Sequence, residues 1–319
     1  MKLHFQNEEK KVKIPKTSPF TILQIKYIIF SLSKKETKMI KTNYHTHSNF
    51  CDGNDCITDI VETAIQKDFK IIGFSSHSIY PFASSWHIAP REHKNYIKEI
   101  NDAKNKFEGK IEILSGFEAD FIPGLSKPDF ETYKSFSPDY LIGSVHYVIT
   151  QKGRLCVDYS AEKLKQKIDQ LFSGNTKKLT CEYFALQREM LKNGNFTILA
   201  HSDLIRKNNE KLNLFNENDS WYRKELKALA EQASKSGVIA EINTGGLARK
   251  TINSVYPSQE LLSLFAEKNV PITFSSDCHS KENLDFAFDI AKKEAIKAGY
   301  KEVAVIKKGG KIDFQKIIN

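Results

Sequence analysis

Hydrophobic spacing divides the chain into two alternating patterns. Short apolar runs predict strands over 40–44, 70–75, 111–116, 140–145, 196–200, 238–242 and 271–275. Between them apolar positions recur at helical spacing, as at Leu226, Leu229, Ala230 and Ala233, and predict helices over 58–68, 92–107, 161–172, 177–192, 221–236, 258–268 and 283–298. Strands that alternate with helices predict an α/β fold with parallel β/α units. The segment 147–195 is expected to hold two adjacent helices and no clear strand. Residues 303–306 and 311–314, separated by Lys307-Lys308-Gly309-Gly310, read as a terminal hairpin.

Neither a repeat nor a linker divides 39–319, so these residues are expected to form one domain. Residues 1–38 are treated apart. A lysine-rich stretch (8–16) precedes an apolar run (20–30) that Lys26 interrupts, unlike a signal-peptide core. They are expected to be an extension, either weakly ordered or lying ahead of a true start at Met39.

The residues that follow each predicted strand carry the chemistry. The first strand runs into Tyr44-His45-Thr46-His47, the second into Ser75-Ser76-His77 and the third into Gly116-Phe117-Glu118. The fourth gives Ser144-Val145-His146, the fifth Leu199-Ala200-His201, the sixth Glu241-Ile242-Asn243 and the seventh Ser276-Asp277-Cys278-His279. Six of the nine histidines fall in this set. In a parallel β/α barrel all those ends lie on one face, where such folds place their active sites. Imidazole and carboxylate are ligands for zinc, iron and manganese. His45-x-His47 puts two rings on one side of a strand end, because alternate residues share a face, and Asp277-x-His279 repeats the device. HxH alone is a weak signal; the recurrence at matching positions is the strong one. Asp52, in a polar Asp-Gly turn, joins the set only because a metal cluster would lie beside it. Of the other histidines, His4 lies in the extension, and His87 and His93 are expected to be exposed or near a substrate.

Composition narrows the partners. Apolar residues are 40% and charged residues 27%, ordinary for a globular protein, and no apolar run reaches the length of a membrane span. The net charge of +9 invites a nucleic-acid reading. The lysines are scattered, however (Lys104, Lys106, Lys110; Lys163, Lys165, Lys167), which suits a solvated surface that attracts anions. Five cysteines, odd in number and without CxxC spacing, suit a reducing cytoplasm, and Cys278 reads as a small half-buried residue.

With these motifs in place, residues 41–314 resemble the PHP (polymerase and histidinol phosphatase) family, and within it the monofunctional histidinol-phosphate phosphatases. Asn43-Tyr-His-Thr-His-Ser48, Gly143-Ser-Val-His146, His201-Ser-Asp-Leu-Ile-Arg206, Glu241-Ile-Asn-Thr-Gly-Gly246, Tyr256-Pro-Ser258 and Ser275-Ser-Asp-Cys-His279 carry the likeness. Ser202 and Cys278 depart from the subfamily pattern at positions that should not bind metal. The resemblance implies a distorted (β/α)7 TIM-like barrel and three divalent metal ions (Zn, Mn or Fe). His45, His47, Glu118 and Asp277 would hold one ion. Glu118, as a bridge, with His146 and His201 would hold a second, and Asp52, His77 and His279 the third. Three such ions against three carboxylates leave a site positive by about three charges, suited to a phosphate monoester.

The implied reaction is hydrolysis of L-histidinol phosphate by metal-activated water, with Glu118, His201 and Asp277 at the catalytic centre. Arg206 and Arg249 are the candidate phosphate clamps, because guanidinium grips phosphate in bidentate fashion. Asn243 is a candidate either to bind substrate or to brace a ligand, and Asp120, with Phe121 and Tyr147, is a candidate contact for the leaving alcohol. Another small phosphate ester or nucleotide, or single-stranded DNA, is the alternative substrate; a non-catalytic metal-binding regulator is the reading from another class.

Overall fold

The computed structural model describes residues 39–78, 80–82 and 84–317, so the expected extension at 1–38 lies outside the described residues. All seven expected strands are present. The first four are β1 (Lys41–Asn43), β2 (Phe69–Phe74), β3 (Glu112–Asp120) and β4 (Tyr140–Ser144). A hairpin of β5 (Tyr147–Thr150) and β6 (Gly153–Cys156) follows, within the segment expected to lack strands. Its turn signal, Gln151-Lys152-Gly153, was readable: Gly153 has φ 141° and Thr150 Oγ1 accepts from Lys152 N. Then come β7 (Ile198–Leu199), β8 (Ile239–Asn243) and β9 (Ile272–Ser275).

The seven pair in parallel in the order β1-β2-β3-β4-β7-β8-β9. The ring closes at its carboxyl end, where His47 N donates to Cys278 O (2.9 Å) and Cys278 N to His45 O (3.1 Å). The sheet is thus the distorted TIM-like barrel that the resemblance implies, built from the parallel β/α units that the strand rhythm predicts. Around it lie α1 (Ile57–Gln66), α2 (His93–Lys106), α3 (Ala161–Phe172), α4 (Thr176–Asn193), α5 (Ser220–Ser236), α6 (Gln259–Glu267) and α7 (Phe288–Ala298). Ser160 and Ser258 cap α3 and α6 by accepting from the backbone N of Lys163 and Leu261. The last helix begins five residues later than its spacing suggests, because a 3-10 turn (Lys281–Asn283) and left-handed Ala287 (φ 55°) interrupt it.

Inside the barrel, Tyr44, Ile71, Leu114, Tyr140, Ile142, Ile198 and Ile239 form a separate apolar core. Tyr140 lies where Gly73 and Gly116 make room; a Cβ at either would come within 2.5 or 2.8 Å of its side chain. The floor is supplied by the terminal hairpin, β10 (Glu302–Lys307) with β11 (Lys311–Lys316), which adds Ala304, Val305 and Ile306 to this core. Its turn is tied to the amino-terminal ends of β3 and β4: Lys308 N donates to Glu112 and Gly309 N to Asp139.

Tyr44 pins this floor. Its hydroxyl donates to Ile306 O (3.0 Å) and accepts from Ile306 N (2.9 Å). Tyr44→Phe leaves two buried backbone groups without that partner and should lower unfolding stability by about 2–3 kcal/mol. Urea unfolding checks this, and a loss below about 0.5 kcal/mol would show that the floor does not depend on it.

Candidate metal centre

At the opposite end of the barrel the nine expected ligands converge. His45 and His47 leave β1, His77 follows β2, Glu118 lies within β3, and His146 follows β4. His201 follows β7, and Asp277 and His279 follow β9. All are buried except Asp52 and His279, which face the opening. Glu118 is the hub. Its Oε2 lies 3.1 Å from His45 Nε2, 2.9 Å from His77 Nδ1 and 3.5 Å from His47 Nε2. Its Oε1 lies 3.1 Å from His201 Nε2 and 3.7 Å from His146 Nε2. Asp277 Oδ1 lies 3.2 Å from His47 Nε2 and 3.6 Å from His45 Nε2, and Asp52 Oδ2 lies 3.4 Å from His279 Nε2.

The donor set fits divalent cations. His45 Nε2, His47 Nε2, His77 Nδ1 and Glu118 Oε2 are buried without a hydrogen-bond partner among the described residues. Orphaned buried polar atoms are costly, and a shared cation satisfies several at once. Ligating atoms within 4.8 Å of one another form overlapping groups: His47, Asp52, His77 and His279; His45, His47 and Asp277; His45, Glu118 and His201; His77, Glu118 and His146. These residues would hold divalent ions, and His45, His47, His77 and Glu118 each belong to two of the groups.

Charge is arranged to match. Burial raises the pKa of Glu118, but the rings of His77 and His45 outweigh it and hold the carboxyl well below its usual range. Asp277 is likewise held far down, Arg249 and His45 overcoming burial. Burial and the neighbouring His279 and His77 rings push His47 down to about 3, leaving it neutral and ready to ligate. Burial also works to lower His146, yet Asp120 dominates and carries it up to about 9. Asp277 itself adopts left-handed backbone (φ 47°), a conformation Asp tolerates better than most residues but at some cost. Arg249 secures it, donating to Asp277 O (2.9 Å) and Oδ2 (2.7 Å). Gly245 is required beside them, since a Cβ there would fall 2.8 Å from Arg249 Nη2 and 2.9 Å from Asp277.

The four expected substrate contacts separate. Arg249 lines a cavity of about 680 Å³ above the cluster. Asp120 does not line it: Oδ1 accepts from the backbone and ring of His146 (2.9 and 3.0 Å), and Oδ2 from the Tyr80 hydroxyl. Asn243 is fully buried, bracing Glu241 and Gly245 N. Asp120 thus supports His146 instead of lining the cavity, and Asn243 takes the bracing one of its two expected roles. Arg206 is also outside the lining in this conformation; its guanidinium donates to Glu217 (2.9 Å) and Ser254 and lies 3.6 Å from Asp203. His93 is buried among Phe117 and Phe136 instead of exposed, and Cys278 is fully buried. All five cysteines are free.

Other residues were not singled out from sequence. Trp86 meets the rings of His77 and His146 edge-on at 4.6 and 5.3 Å, and it stacks near Tyr147. Arg154, Lys163 and Lys207 add positive charge to the cavity wall. Trp86 and Lys207 come from loops, Arg154 from β6 and Lys163 from α3, and only the fold brings them to one wall. Glu241 had a sequence signal, a carboxylate ending a strand like the ligands. It is wholly buried, 2.8 Å from His45 Nδ1.

A parallel β/α barrel with imidazoles and carboxylates gathered at its carboxyl ends defines a metal-dependent enzyme scaffold. The chain belongs to the PHP domain family, whose model matches residues 43–245. It is 28% identical over 282 residues to a Schizosaccharomyces pombe protein named "Probable histidinol-phosphatase", covering 83% of this chain and 89% of that one. It is 25% identical to the histidinol-phosphatase of Bacillus subtilis, over 79% of this chain and 98% of the relative. A solved histidinol phosphate phosphatase from Lactococcus lactis, in complex with zinc, L-histidinol and phosphate, superposes with a TM-score of 0.64 at 22% identity, covering 86% of this chain and 98% of that one.

With His146 near 9 without metal, a cation held by its ring would displace a proton at neutral pH. The raised pKa stabilises the metal-free fold below the ordinary histidine range, and that contribution is lost as pH rises through about 9. Loading metal-free protein with zinc at pH 7 should therefore release protons, and apparent affinity should climb towards pH 9. Calorimetry in buffers of different ionisation enthalpy reads this directly; pH-independent uptake without proton release contradicts it.

Proposed function

We propose that this chain is a metal-dependent phosphatase that hydrolyses L-histidinol phosphate to L-histidinol and phosphate. The observation that carries the reading is the cavity of about 680 Å³, whose floor is the ligand cluster and whose wall holds Arg249. It occurs in a chain aligned over some four fifths of its length with proteins named histidinol-phosphatase. Three ions, zinc, manganese or iron, are proposed, held by His45, His47, Asp52, His77, Glu118, His146, His201, Asp277 and His279. When bound, such ions supply Lewis-acid charge and lower the pKa of water to near 7.

The chain's own residues do the rest. Glu118, His201 and Asp277 fix the centre of the cluster. Arg249, already oriented by Asp277, offers its guanidinium to the phosphate from the cavity wall. Arg206, whose buried Nη1 has no hydrogen-bond partner among the described residues, is proposed as the second clamp, reached on release from Glu217. Trp86 and Tyr147 form an apolar wall that keeps water from one side of the cluster and suits the flat imidazole of the leaving alcohol. Among the described residues no helix is long and apolar enough to cross a membrane. The proposed site of action is the cytoplasm. A larger anionic ester is the second reading, favoured by Arg154, Lys163 and Lys207 on the same wall.

Phosphate release should be fastest from L-histidinol phosphate in a panel with sugar phosphates, nucleotides and single-stranded DNA. It should fall to background in His45→Ala and Asp277→Ala and on chelation, and return with added zinc, manganese or iron. Preference for another substrate moves the assignment to the second reading.

Arg249→Ala and Arg206→Ala should each raise KM about 10- to 100-fold, the worth of charge-assisted hydrogen bonds of about 1.5–3 kcal/mol. An unchanged KM removes the residue concerned from the phosphate site.

A further inference from the structure

Glu241 belongs to no ligand group, yet it is fully buried and each of its oxygens is committed. Oε2 lies 2.8 Å from His45 Nδ1. Oε1 accepts from the backbone N of His201 (2.8 Å) and from Asn243 Nδ2 (2.7 Å). The Asn243 amide cannot be reversed, because its Oδ1 accepts from Gly245 N at 2.8 Å. Donors therefore face Oε1 from two sides, which leaves Oε2 for the imidazole.

We propose that Glu241 is a positioning residue that sets two metal ligands at once, fixing the ring tautomer of His45 and the place of His201. A carboxylate opposite Nδ1 keeps the proton there. Nε2 is then the nitrogen left to ligate a cation, where it faces Glu118 Oε2 (3.1 Å) and Asp277 Oδ1 (3.6 Å). The other oxygen holds the end of β7, so His201 meets Glu118 from the opposite side. One carboxylate on β8 thus registers ligands from β7, its neighbour in the sheet, and from β1, which lies beyond β9 in the ring. Through Asn243 and Gly245 the same chain of bonds reaches the turn that carries Arg249.

The amide of Glu241→Gln distinguishes this role from space-filling. Two donors still face Oε1, so the Gln oxygen must turn to them and its NH2 must face His45 Nδ1. That drives the imidazole proton to Nε2, the atom the cation needs. Glu241→Gln should therefore hold metal worse than Glu241→Ala, which leaves His45 free to choose its tautomer. A packing role predicts the reverse order, with Gln near wild type.

The proposal rests on the metal-centre reading, and its test is read on bound metal instead of turnover. Wild-type, Gln and Ala proteins are loaded with zinc, checked for fold by circular dichroism, and compared for ion-to-chain ratio and rate of zinc loss to a chelator. The Ala variant should lose zinc about 10–100-fold faster than wild type and the Gln variant faster still. A Gln variant that retains zinc as well as the Ala variant, or better, overturns the proposal. Failure of the wild type to bind zinc overturns the metal-centre reading instead. Should the Gln variant not fold, ¹⁵N imidazole spectra of zinc-loaded wild type decide: His45 protonated at Nδ1 and coordinated through Nε2 supports the role, and the opposite tautomer refutes it.

Discussion

The structure depends on one constraint: imidazoles and carboxylates have been taken out of water faster than they can satisfy one another. Glu118 and Asp277 are almost wholly buried, and several of the ring nitrogens around them have no hydrogen-bond partner among the described residues. Removing such groups from water is expensive, and pairing only partly offsets it. Cations shared between them convert the liability into binding energy, which is also folding energy. The surroundings follow from this. Asp120 and Glu241 present carboxylates to the far side of His146 and His45, and Arg249 restrains Asp277 in its left-handed backbone.

The barrel makes the constraint tolerable by separating it from the work of stability. The amino-terminal half of the interior is apolar, closed by the hairpin that brings in Val305 and Ile306. The carboxyl half is polar, and the backbone bonds that close the ring there join the residues around His45, His47 and Cys278, so the last parallel pairing and the ligand geometry are one arrangement. Such a division is general to β/α barrels, where the amino-terminal face serves stability and the other serves chemistry.

Much of this was legible in the chain. Short apolar runs that lead into His, Glu or Asp place strand ends and ligands together, because a parallel sheet gathers its carboxyl ends on one side. His93 misled because a polar residue early in a helix gives no sign of the aromatic packing beyond it. Asp120 and Asn243 were polar residues beside ligands, and sequence cannot separate one that faces substrate from one turned back to hold a ligand. Glu241 is the sharper omission, since it ends a strand as the ligands do. The hairpin of β5 and β6 was missed because four-residue strands give too few alternations, although Gly153 marked the turn. Trp86 is supplied by a long loop whose path no periodicity encodes.

Glu118 has a consequence for how the protein meets scarcity. One carboxylate lies within 4 Å of five imidazole nitrogens, so if several ions are held around it, as proposed, the loss of one would also alter the charge and orientation its neighbours meet. Occupancy should then follow free metal sigmoidally, holding nearly full and then failing over a narrow range; a graded curve in equilibrium dialysis would show the positions to be independent. In a cell whose divalent-ion supply fluctuates, such a catalyst would behave as a threshold device.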